Sequence, residues 1–174
     1  MTQVQAGLAL LALVVVAYLL MWWGWRRRAT RHDLPPLVEA PAVADLPPAR
    51  MEAGARYFGT TVSGEWLERV VARGLGARST ARIRLSDEGI DVIRLAGSFR
   101  ITAEALRGAR HDQGIAGKVV PPHGLLVITW QHGDLLLDSG FRLNDAATEA
   151  QGTTATHNEW VRRISKLAKK QEDV

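Results

Sequence analysis

Arg78, Arg82 and Arg84 occupy positions of the same parity within residues 78–85, a segment whose intervening side chains are small or apolar. Because successive side chains of a β-strand point to opposite faces, the three guanidinium groups share one face if this segment is a strand. Such a face is a candidate site for an anionic lipid headgroup, since a basic residue near an anionic leaflet contributes about 1 kcal/mol. The alternative is an ordinary solvated strand face, with cross-strand partners such as Asp91.

Histidines are the second set of residues that could take part in catalysis or metal binding. The chain contains five: His32, His111, His123, His132 and His157. His111-Asp112 and His132-Gly-Asp134 place an imidazole near a carboxylate, as metal sites and general-base pairs also do. The sequence contains neither H-x-x-x-H nor H-E-x-x-H, and no serine lies in a G-x-S-x-G motif. We therefore predict solvated histidines at turns or helix starts, and no catalytic residue, metal site or cofactor.

The glycine-containing segment Gly114-Ile-Ala-Gly-Lys118 has a partial likeness to a phosphate-binding loop. A Walker loop follows the pattern G-x-x-x-x-G-K-[ST]. Here Asp112 stands in the place of the first glycine and Val119 follows the lysine, so the hydroxyl that binds Mg²⁺ is missing. The segment predicts a tight turn between two strands, and a nucleotide enzyme is the least favoured class of function.

Composition narrows the classes of function further. The chain has 174 residues, no cysteine and a formal net charge of +4. The lack of cysteine excludes a disulfide framework, a thiolate nucleophile and a cysteine-ligated zinc site. From Tyr57 onward the charges are mixed in sign, which does not match the concentrated basic surface of a nucleic-acid-binding protein.

The N-terminal segment has the properties of a membrane-spanning helix. Residues 6–25 carry no charge, and a helix of this length matches a hydrocarbon core about 30 Å thick. Aromatic and basic side chains at its end are candidate membrane-interface anchors: Trp22, Trp23, Trp25, Arg26, Arg27 and Arg28. Residues 1–5 contain no Lys or Arg, so the positive-inside rule places them outside and the remainder of the chain in the cytoplasm, at the plasma membrane.

A cleaved signal peptide is the main alternative interpretation of this segment. Signal peptides have a basic region before a shorter apolar run and a site of small residues after it. Here the basic cluster follows the apolar run, which is too long, and tryptophan occupies the place of the cleavage site. These features favour an uncleaved, single-pass anchor.

Residues 26–54 read as a basic juxtamembrane segment followed by a proline-rich tether. Five of the seven prolines fall here: Pro35, Pro36, Pro41, Pro47 and Pro48. Proline removes a backbone donor and fixes φ, so we expect an extended, semi-rigid stalk rather than a helix or central strand. A proline motif for a partner's groove is the alternative, although no clean P-x-x-P is present.

Short strands dominate the predicted globular domain, residues 55–170, which leaves 171–174 as a tail. The predicted strands are 57–62, 78–85, 89–95, 98–102, 118–120, 125–131, 134–138 and 140–143, with 106–113 as a less certain one. Apolar spacing predicts a helix over 65–73. A second, C-terminal helix is predicted to start at a capping box, Thr156 to Glu159, and to bury Trp160, Val161, Ile164, Leu167 and Ala168.

This order of elements resembles the bacterial pleckstrin-homology-like (PH-like) domains, in particular those of membrane-anchored actinobacterial proteins. The resemblance covers 57–170 and is carried by 59–66, 74–76, 114–118, 127–130, 140–142 and the Trp160 helix. It implies a mainly-β PH-like barrel or bent antiparallel sheet, capped by the C-terminal amphipathic helix and preceded by one transmembrane helix. The helix predicted at 65–73 is an addition to the plainest layout of this fold.

The resemblance implies a binding function rather than catalysis. We expect a single-pass membrane protein that presents a cytoplasmic, non-enzymatic scaffold domain and docks a protein partner or lipid at the inner face of the bilayer. An accessory subunit of a transport, export or cell-envelope complex is the alternative, with Ala6, Ala9 and Ala12 permitting close approach of a partner helix.

Overall fold

The computed structural model describes residues 3–29, 34–122, 124–144 and 152–172. The chain divides into two compact units, Met1–Asp33 and Leu34–Val174. His32 and His123 of the predicted histidine set lie outside the described residues, as does most of the loop predicted over 144–155.

The first unit is a helix, α1, which runs from Gln3 to Ala29. Its segment Gly7–Gly24 has a mean hydropathy of 2.2 and is long and apolar enough to cross a membrane. Its large apolar side chains are exposed, as an anchor in lipid requires. Near its end the Arg26 guanidinium lies 5.4 Å from the centroid of the Trp22 ring. The interface-anchor role of this end of the helix stays a prediction.

The second unit is built on a bent, open antiparallel sheet with a small hairpin and a C-terminal helix. Its strands are β1 (Met51–Val62), β2 (Ser79–Ser86), β3 (Gly89–Arg94), β4 (Phe99–Thr102), β5 (Leu106–Asp112), β6 (Gly114–Ile115), β7 (Lys118–Val119), β8 (Leu125–His132) and β9 (Leu135–Leu143). The main sheet has the order β4-β3-β2-β1-β9-β8-β5, and β6 pairs with β7. Most predicted strands are confirmed, although 134–138 and 140–143 form one continuous strand, β9.

Helix α2 (Gly152–Glu172) packs against β5 and β8. Its predicted apolar stripe is confirmed, because Trp160, Ile164 and Ala168 are buried and Val161 and Leu167 are partly buried. The predicted start at Thr156 is wrong, since the helix begins at Gly152. Thr156 and Glu159 therefore lie within the helix, where Glu159 forms ion pairs with Arg162 and Arg163.

Aromatic side chains from four strands meet at the centre of the core. Tyr57 lies 5.3 Å from Phe141 and 6.4 Å from Phe99, and Phe99 stacks on Trp130 at 5.9 Å between ring centroids. All four side chains are buried. Contacts of this kind add about 1 kcal/mol each to the free energy gained by burying the rings.

The predicted helix over 65–73 is wrong. This segment forms turns and a short 3-10 helix, Ala72–Gly74, and it pairs briefly with β1 through a bridge between Thr61 and Arg69. Trp66 and Leu67 are 48 % and 65 % exposed, so their spacing does not mark a buried helical face. Tertiary contacts have overridden the local pattern.

Residues 34–50 do not form the predicted free stalk but pack on the sheet. Leu34 is 3 % exposed and joins the main core. The Arg73 Nε donates to the Leu34 carbonyl at 3.0 Å, and the Arg100 backbone N–H on edge strand β4 donates to the Val38 carbonyl at 2.7 Å. The compact unit thus starts at Leu34, whereas the sequence placed the domain boundary at residue 55.

Candidate functional site

The three predicted anion-binding arginines do not act as one set of free cations. Arg78 is exposed and precedes β2, whereas Arg82 and Arg84 lie on β2. Both strand arginines form ion pairs with Glu52 of β1, at 3.3 Å and 2.9 Å. Arg84 also donates to the Pro47 carbonyl at 3.3 Å, so the two strand arginines share one carboxylate and are engaged within the fold.

Asp91, the predicted cross-strand partner of these arginines, pairs elsewhere. Arg84 lies opposite Asp91 in the register of β2 and β3, but the buried Asp91 carboxylate accepts two hydrogen bonds from Arg100 on β4, at 2.6 Å and 3.0 Å. These hydrogen bonds are the main reason why the pKa of Arg100 is raised. The ion pair joins β3 to edge strand β4.

A concave surface with more varied chemistry lies where the β1–β2 and β5–β8 loops meet on the outer face of the sheet. This outer groove has a cavity volume of about 390 Å³. Its lining includes Trp66, Arg110, Asp112, Gly114, Val119 and Asp138. Trp66 and Val119 form an exposed apolar rim, of which Val119 is 71 % exposed, and the exposed Leu67 side chain lies beside this rim next to Gly117.

The two loops that form the groove are joined by specific hydrogen bonds. The Ala116 N–H donates to the Trp66 carbonyl at 2.7 Å. The Arg69 guanidinium donates to the carbonyls of Ala116, at 2.8 Å, and Gly76, at 2.9 Å. These contacts hold the rim in a fixed shape, which reduces the entropy lost when a partner binds.

The floor of the groove is an ion pair that links three strands. Arg110 on β5 donates two hydrogen bonds to Asp138 on β9, at 3.1 Å and 2.9 Å, and Thr129 on β8 donates to the same carboxylate at 2.6 Å. Burial alone raises the pKa of Asp138, but the hydrogen bonds from Arg110 and Thr129 outweigh it and lower that pKa. The groove therefore holds a fixed ion pair beneath an apolar rim, and Asp112 adds a second carboxylate to its lining.

The β6–β7 hairpin lies beside this groove and closes through Ala116 and Gly117, which have φ of 51° and 71°. The prediction of a tight glycine turn between strands at Gly114–Lys118 is therefore confirmed. Ile115 of the hairpin packs with Val127 and Leu125 in a second, smaller core on the outer face.

The histidine prediction is wrong for His157, which is fully buried on α2 rather than solvated at a helix start. Its ring lies 6.0 Å from that of His111 on β5, and His111 Nε2 is 2.7 Å from Asn158 Oδ1. His132 at the end of β8 contacts the Pro35 carbonyl at 3.0 Å. Among the described residues no three His, Asp or Glu side chains form a group suited to a metal ion.

A chain of hydroxyl groups inside the core is structural rather than part of a surface site. Tyr57 donates to the Leu75 carbonyl at 2.7 Å, so it accepts from Thr60, which in turn accepts from Ser139. The Trp130 Nε1–H donates to Ser139 at 3.0 Å and fixes the other end of the chain. Burial raises the pKa of Tyr57 to about 12.

This bent antiparallel sheet with its C-terminal helix and loop-lined groove defines a PH-like binding domain. The family model described as bacterial PH domain-like matches residues 34–164, which is more than half of the chain. The chain therefore belongs to the bacterial PH domain-like family. Comparison with curated proteins gives no match.

PH-like domains are generally non-catalytic and commonly bind lipids or proteins. Sequence reasoning did not find the groove, because Arg110 and Asp138 are far apart in the chain and no local motif connects them. The exposed Trp66 was available as a signal, but its spacing from Val70 was interpreted as helical.

Proposed function

We propose that this protein is a single-pass membrane protein whose PH-like domain is a non-catalytic docking module at the cytoplasmic face. The uncharged span Gly7–Gly24 of α1 supports anchoring, and the arginines that follow this span support a cytoplasmic domain. The outer groove, with its preorganised apolar rim, is the observation that best supports a binding role.

The groove fits a protein partner better than a lipid headgroup. Arg110 pairs with Asp138 and lies 3.4 Å from Asp112, so no net positive charge remains for a phosphate. Trp66 is exposed, and tryptophan is a side chain that anchors protein interfaces when an apolar partner surface covers it. The partner we propose presents an apolar side chain to this rim and polar groups to the ion pair below.

Photo-crosslinking in native membranes tests this proposal. A photoreactive residue at Leu67 of the full chain is expected to trap a discrete protein adduct. The same residue at Leu95 is the control, because Leu95 is fully exposed but lies in the β3–β4 turn. An adduct that forms equally at both positions, or at neither, contradicts docking at the groove.

Protease accessibility tests the proposed topology. We expect the PH-like domain to survive protease added to intact cells and to be digested in inverted membrane vesicles. Digestion in intact cells would place the domain outside and refute the cytoplasmic assignment.

The alternative proposal is an accessory subunit of a transport, export or cell-envelope complex, in which α1 itself packs against a polytopic partner. Replacement of residues 7–24 with an unrelated apolar helix distinguishes the two proposals. Loss of partner association supports the accessory subunit, whereas retained association assigns docking to the PH-like domain.

A further inference from the structure

A second concave surface lies between the C-terminal half of α2 and the turn that joins β2 to β3. This basic pocket has a cavity volume of about 580 Å³. Its charged lining consists of Arg50, Asp87, Arg162, Arg163, Lys166 and Lys170. Leu85, which is buried, and Leu167, which is partly buried, form an apolar part of the wall.

Positive charge dominates the lining of the basic pocket, which contains five cationic side chains and a single carboxylate. Asp87 forms an ion pair with Arg50, and Glu159, outside the lining, pairs with Arg162 and Arg163. Within the described part of the chain, no carboxylate lies within ion-pair distance of Lys166 or Lys170. The pocket thus keeps an excess of cations after its internal pairs are counted.

The spacing of these cations along α2 is unfavourable for an isolated helix. Arg162, Lys166 and Lys170 follow one another at intervals of four residues, a spacing at which like charges repel one another and destabilise a helix. The side chains remain exposed, so burial of their apolar stems does not explain the arrangement. An anion bound between Lys166 and Lys170 would relieve the repulsion between them.

We propose that the basic pocket binds a small anion that carries more than one phosphate group. Guanidinium groups bind phosphate oxygens through paired hydrogen bonds, and the ammonium groups add compact point charges. The cavity is in the range typical of small-ligand sites, about 300–1,000 Å³, and is larger than one phosphate requires. The site is independent of the outer groove and of the Arg78–Arg84 face.

The ligand can be a soluble anion or the phosphorylated headgroup of a lipid, and both present the same chemistry to the pocket. The first arm of the test uses the full chain in nanodiscs of phosphatidylcholine, titrated with inorganic pyrophosphate in a calorimeter. We expect saturable binding that the double variant Lys166→Glu/Lys170→Glu weakens by more than about tenfold.

Lys169→Glu is the matched control, because Lys169 is exposed on the same helix but does not line the pocket. Thermal unfolding checks that each variant is folded. No saturable binding, or equal weakening by Lys169→Glu and the pocket variant, overturns the proposal, since the interaction is then absent or is general charge attraction.

The second arm distinguishes the two sources. The same nanodiscs are mixed with vesicles of phosphatidylcholine alone or of phosphatidylcholine and diacylglycerol pyrophosphate, a lipid with two phosphate groups, in equal amounts. Sedimentation with the acidic vesicles that depends on Lys166 and Lys170 assigns a lipid headgroup. Pyrophosphate binding without such sedimentation assigns a soluble anion, whereas the absence of pyrophosphate binding refutes the site whatever the vesicles show.

Discussion

Gly140 on β9 lies where the smaller outer core meets the sheet. A Cβ added at Gly140 would lie 2.6 Å from the Ile115 Cγ2 and 2.8 Å from its Cδ1. Ile115 is buried, so its side chain has little room to move. The glycine therefore permits the β6–β7 hairpin to pack closely on the sheet, in the position that forms one side of the outer groove.

We predict that Gly140→Ala lowers the free energy of unfolding by about 1–3 kcal/mol, because it overpacks this contact. Denaturant unfolding of the detergent-solubilised full chain measures the change. Gly54→Ala is the control, since its added Cβ would meet nothing closer than 3.7 Å. Equal effects of the two substitutions would show that Ile115 does not restrict position 140.

Tyr57 is the residue whose ionisation is most clearly tied to the fold. Burial raises its pKa from 10.0 to about 12 in the folded protein, which favours the neutral phenol. The neutral phenol therefore contributes fully to the free energy of unfolding below pH 10, and this contribution is lost as the pH rises from 10 to about 12. The expected loss is about 2 kcal/mol.

Tyr57→Phe removes this titration and also one donor to the Leu75 carbonyl, so it destabilises the protein by about 1–2 kcal/mol at neutral pH. We expect the stability difference between the two proteins to shrink between pH 10 and 12. A constant difference over that range would show that the phenol does not titrate with folding.

At the scale of elements, the alternation of apolar and polar side chains was sufficient to predict β2, β3 and β8, because each buries one face or both. The same approach failed at 65–73, where Val70 alone is buried and the Arg69 guanidinium donates to the Ala116 carbonyl, 47 residues away in the chain. A helical spacing of apolar residues does not require a common buried face. Such long-range contacts leave no local signal.

The proline-rich segment shows a second limit of sequence reasoning. Prolines correctly exclude helix and central strand from 34–50, apart from the short 3-10 turn at Val43–Asp45. They do not exclude packing, and the Leu34 side chain and Val38 carbonyl both contact the domain. The segment gives part of edge strand β4 a partner and so helps to protect it from pairing with another chain.

We predict that Leu34→Ala destabilises the domain by about 2–3 kcal/mol, because it leaves a cavity in the main core. Val38→Ala is expected to have little effect, since the Val38 side chain is half exposed and only its backbone is engaged. Thermal unfolding of both variants measures the difference. Equal, negligible changes would restore the interpretation of this segment as a free stalk.

For the whole molecule, the candidate binding surfaces were the least predictable feature. The arginine face was visible as a period-two pattern, but the ion pairs of Arg82 and Arg84 with Glu52 depend on the pairing of β1 with β2. The basic pocket combines Arg50 and the β2–β3 turn with α2, which are far apart in sequence. Its clearest sequence signal is the repeated basic position on α2.

We predict that the mature protein retains α1 and is an integral membrane protein. Intact mass measurement of the protein extracted from membranes is expected to include residues 7–24, and alkaline carbonate is expected to leave it in the membrane fraction. Deletion of 7–24 should release it. A mature mass that lacks this segment would identify a cleaved signal sequence instead.

The buried series Trp130, Ser139, Thr60, Tyr57 has one more implication. The indole at one end can only give a hydrogen and the Leu75 carbonyl at the other can only take one, so all three hydroxyls must point the same way. Their protons are thereby locked against rotation and screened from water. In magnetic resonance spectra of the folded domain they should persist as discrete, slowly exchanging signals, and Ser139→Ala should alter the remaining two together.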